Sequence, residues 1–328
     1  MKYKALVVKE NEGQFSSSVQ TCDTDLLPAG DVLIQVFYSS LNYKDALSAI
    51  GNKGVTKSYP HTPGIDAAGE VKYSSVAQFS KGEKVIVSGY DLGMNTAGGF
   101  GQYIRVPSAW VVKLPEGLSL KEAMIIGTAG FTAGISIMRL SQLVKPDDGK
   151  IIVSGATGGV GSMALSLLHK LGYASVAVSG KATETKFLKQ LGANEIITRS
   201  EFEKVDKRPI LSGIYAGGID SVGGPILENM IKTLKPLGVV TTCGSVSSSQ
   251  LNLSVFPFIL RGISLIGISA QNYPMSMRKD LWQRFSNDLK PYNLNELLNE
   301  IRLDELPDAI LKILNGQLKG RTVVNLID

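Results

Sequence analysis

Apolar and polar residues alternate differently along two parts of the chain. Over residues 1–120, short runs with strand character, Lys4–Val8, Val32–Tyr38, Gly69–Tyr73, Lys84–Ser88 and Gln102–Val106, are parted by proline and glycine clusters. That pattern predicts a compact β-rich domain. Helical spacing begins at Ala123-Met124-Ile125-Ile126-Gly127 and continues through Phe131–Leu140, and Pro146-Asp147-Asp148-Gly149 predicts a turn. From Ile151 onward strands and helices alternate. Strands are expected at Ile151–Val153, Ser175–Ser179, Glu195–Thr198, Gly218–Val222, Val239–Cys243 and Ile263–Ile268, and helices over Ser162–Leu171, Glu184–Leu191 and Pro225–Leu234. Such alternation predicts an α/β fold with a doubly wound parallel sheet. The tail predicts helices at Met277–Asp288 and Leu306–Leu314, then a last strand at Thr322–Leu326.

The organising stretch is the apolar run from Ile151 into Gly155-Ala156-Thr157-Gly158-Gly159-Val160-Gly161. Strand, glycine turn and helix follow in the order a dinucleotide phosphate needs. Glycines at 155, 158 and 161 let the backbone approach a pyrophosphate, and the helix N-terminus offers N–H groups and partial positive charge. A tight turn without ligand uses the same glycines; the placement between strand and helix favours the phosphate. A site for NAD usually ends the second strand on a carboxylate that accepts from the ribose 2′-hydroxyl. Here that strand ends Val178-Ser179-Gly180-Lys181, with no carboxylate before Glu184. A hydroxyl, bare backbone and an ammonium suit a 2′-phosphate, and Arg199 after the third strand adds a second cation. The bland alternative is that Lys181 and Arg199 are solvated surface charges. NADPH is the expected cofactor.

Composition narrows the function classes. At 328 residues the chain has room for two domains, and 44% hydrophobic with 19% charged residues describes a globular protein. The net charge of +5 is scattered, with no basic patch of the kind nucleic acid requires. Charge interrupts the first ten residues too soon for a signal peptide. No apolar run approaches the roughly 20 residues that span a bilayer, so no membrane partner is expected. Two cysteines far apart, Cys22 and Cys243, suggest reduced thiols and a cytoplasmic protein. With a β-rich half before a nucleotide fold, the active site is expected in the cleft between them.

Metal chemistry lacks donors. The two histidines, His61 and His169, have no Cys or second His at ligand spacing, whereas zinc takes about four N, S or O ligands. No Ser/His/Asp or Cys/His nucleophile constellation stands out either.

Several motifs carry a resemblance. Asn42-Tyr43-Lys44-Asp45-Ala46-Leu47, Pro63-Gly64-Ile65-Asp66, Gly98–Tyr103, Ala123–Ala133 and the glycine turn resemble the zinc-independent branch of the medium-chain dehydrogenase/reductases, in particular the acryloyl-CoA reductase group. Matches continue through Ile219–Gly224, Pro257–Gly262 and Gly320-Arg321-Thr322, so the similarity runs the length of the chain. In zinc-dependent relatives the counterparts of Asn42, Ile65 and Thr128 are metal ligands; these three side chains are not. The resemblance implies a GroES-like catalytic domain from residues 1–123 and 269–328, a Rossmann domain over 124–268, and commonly a homodimer. In many relatives the dimer joins Rossmann sheets edge to edge, here at the Ile263–Ile268 strand.

By the same resemblance, NADPH contacts fall on Tyr43, Thr157-Gly158-Gly159-Val160, Ser179-Gly180-Lys181, Arg199, Ser245, Ile259, Ala270 and the Asn315-Gly316 turn. Relatives tend to carry Asp-Ser where this chain has Ser269-Ala270, which removes one polar contact. The implied chemistry is hydride transfer to the β-carbon of an enoyl thioester such as acryloyl-CoA. Charge then builds on the thioester oxygen, and a proton goes to the α-carbon. Tyr43 is a candidate to donate to that oxygen or to brace the nicotinamide ring. Asn42 is a second candidate donor, or a loop cap. Thr128 is expected at the nicotinamide carboxamide, with a purely structural hydroxyl as the alternative, and Asp45 and Asp66 are expected to hold loops. A quinone or enone reductase and a non-catalytic nucleotide-binding sensor remain the other readings.

Overall fold

The computed structural model describes residues 1–204 and 206–327, with the backbone alone of Ala182. In chain order the first strands are β1 (Lys2–Asn11), β2 (Gln14–Asp23), β3 (Val32–Leu41), β4 (Asp66–Ser74), β5 (Lys84–Ser88), β6 (Tyr103–Val106) and β7 (Val111–Lys113). They are followed by β8 (Ile151–Val153), β9 (Ser175–Ser179), β10 (Glu195–Thr198), β11 (Tyr215–Asp220), β12 (Leu234–Thr242), β13 (Ser264–Gly267), β14 (Leu298–Arg302) and β15 (Arg321–Asn325). The helices are α1 (Tyr43–Ala49), α2 (Leu120–Ser141), α3 (Gly159–Lys170), α4 (Thr185–Gln190), α5 (Arg199–Phe202), α6 (Gly224–Lys232), α7 (Phe256–Arg261), α8 (Met275–Phe285), α9 (Leu294–Leu297) and α10 (Leu306–Leu314).

The chain divides into two compact units. Met1–Thr128, Gln271–Asn287 and Leu294–Asp328 form one; Ala129–Ala270 with Asp288–Asn293 form the other. The first division falls inside α2, where the backbone breaks at Gly127 with φ 49° and ψ −161°.

In the β-rich unit a mixed sheet runs in the order β14-β15-β3-β4-β5-β7, with β6 also paired to β3. The β1–β2 hairpin stands apart from that sheet. Its two-residue turn, Glu12-Gly13, takes positive φ at both positions, which matches the right-handed twist of the strands. Inward residues of β3, Val32, Ile34 and Val36, meet Val71, Val85 and Ile104 in the core. These β-branched side chains fit a pleated, covered surface.

In the other unit all six strands are parallel, in the order β10-β9-β8-β11-β12-β13. The order reverses between β8 and β11, the kind of place where such sheets bind ligands at their carboxyl ends. Ile152, Val176, Val178 and Val240 form the core against Ile226 and Met230 of α6.

Several elements differ from the pattern-based expectation. The helical region expected to run smoothly past Gly127 is kinked there. At 22 residues α2 is also long and apolar enough to cross a bilayer, contrary to the expected absence of any such run, although most of it is buried inside the protein. Strand β2 was not expected, because Gln14-Phe15-Ser16-Ser17-Ser18 lacks the apolar alternation of a half-buried strand. Helices α1 and α7 were expected only as motif segments, being 7 and 6 residues long.

Candidate functional site

The glycine turn forms a cradle in the parallel-sheet unit. Gly155 adopts φ +57°, and Gly158 and Gly159 open α3. A Cβ on Gly161 would lie 2.3 Å from the Gly155 carbonyl oxygen and 2.8 Å from the Ala156 Cα, so only glycine lets the helix start this close to the turn. At the end of β9, the Ser179 hydroxyl accepts from the Lys181 backbone N–H at 3.0 Å. Arg199, at the end of β10, lies over the neighbouring glycine: its Nε would be 3.5 Å from a Cβ on Gly180. The Ser179 hydroxyl, the bare Gly180 backbone and the Arg199 guanidinium therefore meet at one sheet end where Lys181 follows in the chain, a set of groups suited to a phosphate.

Farther along the same carboxyl edge, a cavity of about 430 Å³ is lined by Thr242, Cys243, Gly244, Ser245, Gly267, Ile268 and Ser269. Its floor is held by Asp220, fully buried, which accepts from the Ser154 hydroxyl at 2.7 Å, the Thr242 hydroxyl at 2.9 Å and the Val222 and Gly223 N–H groups. Burial, aided by Asp220, pushes the Cys243 thiol up to about 12. Cys243 is thereby kept a neutral thiol beside the cavity.

A second cluster lies in the β-rich unit. The Asp66 carboxylate accepts from the Ser40 hydroxyl (2.6 Å), the Asn42 amide (2.8 Å), the Thr128 N–H (2.9 Å) and the Thr128 hydroxyl (2.7 Å). Arg321 reaches in from β15: it donates to the Ile125 carbonyl (2.9 Å), the Asn42 side-chain oxygen (3.2 Å) and Ser40 (2.9 Å), and stands 4.0 Å from Asp66. The break at Gly127 explains two of these bonds. It takes the Thr128 N–H and the Ile125 carbonyl out of the helical ladder, and Asp66 and Arg321 satisfy them. Nearby, Asp45 accepts from the Asn42 and Ile65 N–H groups, both at 2.8 Å. Burial, reinforced by the Asp66 carboxylate, pushes Asp45 up to about 7.

The two carboxylates thus engage Asn42, Ile65 and Thr128, the three positions matched to metal ligands. An amide, an aliphatic chain and a hydroxyl offer no thiolate or imidazole, and this donor set does not fit zinc. Among the described residues no group of three His, Cys, Asp or Glu side chains is placed to hold a metal ion.

The expected site residues are distributed as follows. Thr157, Gly158, Gly159 and Val160, the Ser179–Lys181 run, Arg199 and Ser245 sit at the carboxyl ends of β8, β9, β10 and β12. Ala270 is buried just past β13, whereas Ile259 points outward from α7 at 66% exposed. Tyr43, Asn42, Thr128 and Gly316 belong to the β-rich unit. Tyr43 is the first residue of α1 and remains exposed. Asn42, read as a donor or a loop cap, turns its amide N–H groups inward to Asp66 and the Ser40 carbonyl. Likewise the Thr128 hydroxyl donates its hydrogen bond to Asp66. Gly316 follows α10 with φ +65° and open space around it, as a helix-ending glycine does. Ser40, Gly127 and Arg321 were not anticipated as parts of a site. Arg321 stands in a matched motif, but nothing in its neighbours points to partners some 280 positions away.

Comparison with known proteins gives this geometry a family. Residues 28–116 match the alcohol dehydrogenase GroES-like domain, and residues 159–287 match the zinc-binding dehydrogenase domain. Acrylyl-CoA reductase AcuI of Ruegeria pomeroyi is 39% identical, over 99% of this chain and 99% of its own. The crystal structure of E. coli YhdH with bound NADPH superposes with a TM-score of 0.95 at 42% identity, covering 98% of this chain and all of that one. That of Bacillus subtilis yhfP with NAD bound gives 0.96 at 41%, covering 99% and 100%. A human quinone oxidoreductase is 30% identical over 67% of this chain and 66% of its own. A Rossmann-type parallel sheet and a GroES-like unit, shared along nearly the full length with the Ruegeria, E. coli and Bacillus proteins, make the chain a member of the medium-chain dehydrogenase/reductase family.

Proposed function

We propose that the protein is an NADPH-dependent reductase of activated carbon–carbon double bonds, acting without a metal on a short enoyl-CoA such as acrylyl-CoA. The observation that carries it is Arg199 lying over Gly180 at the end of β9, beside Ser179 and Lys181, in a chain similar from end to end to an acrylyl-CoA reductase. Lys181 and Arg199 would hold the 2′-phosphate, the Thr157–Val160 turn the pyrophosphate, and the cavity beside Ser245 and Ala270 the nicotinamide end. Bound NADPH supplies a hydride. Tyr43, exposed at the start of α1, has a phenol free to donate toward oxygen where negative charge develops, which lowers the barrier. Asn42 and Thr128, with their hydrogen bonds donated to Asp66, position Tyr43 and the α2 break rather than react. The bound NAD of the Bacillus relative makes preference, rather than capacity, the quantity to measure.

Steady-state rates with acrylyl-CoA and with a simple quinone, each with NADPH and NADH, test this reading. Acrylyl-CoA with NADPH is expected to give the highest kcat/KM. The likeness to a quinone oxidoreductase supports the second reading, and a large preference for quinone would establish it. Tight NADPH binding with no turnover of either acceptor would point instead to a nucleotide sensor.

We further propose a homodimer joined at the free edge of β13, in the cytoplasm. That edge ends the sheet, and the segment before it exposes Val255, Phe256, Ile259 and Leu260, which together form the kind of apolar patch a partner covers. Light scattering on the eluting protein should give twice the 35.1 kDa chain mass, and Leu260→Glu should shift it to the monomer. A Leu260→Glu protein still at double mass would remove this edge from the interface.

A further inference from the structure

The chain re-enters the β-rich unit at Gln271, directly after Gly267, Ile268 and Ser269 of the cavity wall. Gln271 is held at three points. Its backbone carbonyl accepts from the Tyr90 N–H at 2.8 Å and from Arg278 Nη2 at 3.2 Å. Its side-chain oxygen accepts from Lys44 Nζ at 2.8 Å. The base of this arrangement is rigid. Arg278 is 1% exposed, also donates to the carbonyl and hydroxyl of Ser88, and lies 4.7 Å from the Tyr90 ring centre. Tyr90 in turn stacks on Trp110, the rings 5.6 Å apart and 5° from parallel. Tyr90 also has φ +53°, a strained backbone for a bulky residue, which persists only where its surroundings fix it.

The far end of the arrangement is Lys44, in the first turn of α1 between Tyr43 and Asp45. Its ammonium is half-buried; burial lowers its affinity for the proton, and the Asp45 carboxylate raises it in part. It meets a neutral amide oxygen there. A cation held this way is directed by the amide without being neutralised by it, since the Gln271 oxygen accepts but carries no charge.

We propose that Gln271 is a positioning residue for the reduction: acting through Lys44, it sets the first turn of α1, and with it Tyr43, at the point where the chain arrives from the cavity wall. This rests on the reading of Tyr43 as the functional side chain. Misplacing a reacting group slightly lowers turnover far more than it changes nucleotide affinity.

The test uses the full-length protein with Gln271→Met, Lys44→Met, the double variant and Gln271→Glu, which keeps an acceptor oxygen. Gln271→Met should lower kcat on the order of tenfold while the NADPH Kd stays within about twofold. Lys44→Met should do the same, and the double variant should fall no lower than the worse single. Gln271→Glu should restore kcat to within about twofold of wild type. Hydrogen exchange of residues 43–49 should quicken in Gln271→Met and not in Gln271→Glu. Losses that multiply in the double variant, an unchanged kcat, or unchanged exchange in α1 would each overturn the proposal. Failure of the wild-type protein to reduce either acrylyl-CoA or quinone would overturn the functional reading instead, and the exchange of α1 would then decide this one alone.

Discussion

Gly127→Ala is expected to destabilise the protein by about 4 kcal/mol, lowering the calorimetric transition by roughly 10 °C. Two independent terms add. The backbone at Gly127, φ 49° and ψ −161°, lies in a region essentially closed to residues with a side chain. A Cβ there would also come within 2.6 Å of the Ser40 hydroxyl, 2.7 Å of Arg321 Nη2 and 2.8 Å of an Asp66 oxygen. None of these can retreat, because each is buried and hydrogen-bonded within the cluster, and parting a buried ion pair is strongly unfavourable. Gly82→Ala is the control: φ is +86° but nothing lies within 4 Å, so only the backbone term, about 1 kcal/mol, should appear. A Gly127→Ala transition within 2–3 °C of that control (roughly 1 kcal/mol) would mean the cluster is not rigid.

The second large effect concerns the choice of nucleotide. The Lys181→Ala/Arg199→Ala double variant should weaken NADPH binding by roughly 10²- to 10⁴-fold, since each charge-assisted hydrogen bond to a phosphate contributes about 1.5–3 kcal/mol. NADH binding should change by less than about threefold, as neither side chain has a charge to meet on a 2′-hydroxyl. Fluorescence titration of both nucleotides measures the ratio. Single variants should each produce part of the loss, with Arg199 contributing through its place over Gly180. Equal losses for NADPH and NADH would show that these cations support the fold of the β9–β10 end and do not read the phosphate.

The nucleotide half of this molecule is legible in its sequence for a physical reason. Parallel strands buried on both faces must be short apolar runs, so Ser175–Ser179, buried throughout, is read to the residue, and the glycine turn marks the carboxyl end of the sheet. The β1–β2 hairpin hides behind polar residues in β2. Its signal is the Glu12-Gly13 pair after Asn11, a two-residue turn, rather than any apolar alternation. The cluster around Asp66 is hidden more deeply. Ser40, Asp66, Thr128 and Arg321 come from β3, β4, the α2 break and β15, and local sequence carries no trace of contacts that only the folded sheet creates. The motif Asn42–Asp45 leaves Asn42 open between a donor and a loop cap, and its hydrogen bonds to Asp66 and the Ser40 carbonyl are those of a cap. A lone amide reads as a candidate donor until its acceptors, brought in from elsewhere in the chain, are visible.

Those acceptors also hold the three positions matched to metal ligands. Two carboxylates and one guanidinium hold Asn42, Ile65 and Thr128 by directed hydrogen bonds, and fully satisfied buried networks of this kind rigidify what they join. Tyr43, exposed at the start of α1, stands beside that network, and the proposed chemistry needs a hydride to the β-carbon, a donor to the thioester oxygen and a proton to the α-carbon.

Deuterium transfer tests that chemistry most directly. With NADPH deuterated at the transferable C4 position and acrylyl-CoA as acceptor, mass spectrometry of the propionyl-CoA formed should find one deuterium, on the β-carbon. Propionyl-CoA without label, or no product while the nucleotide stays reduced, would contradict it.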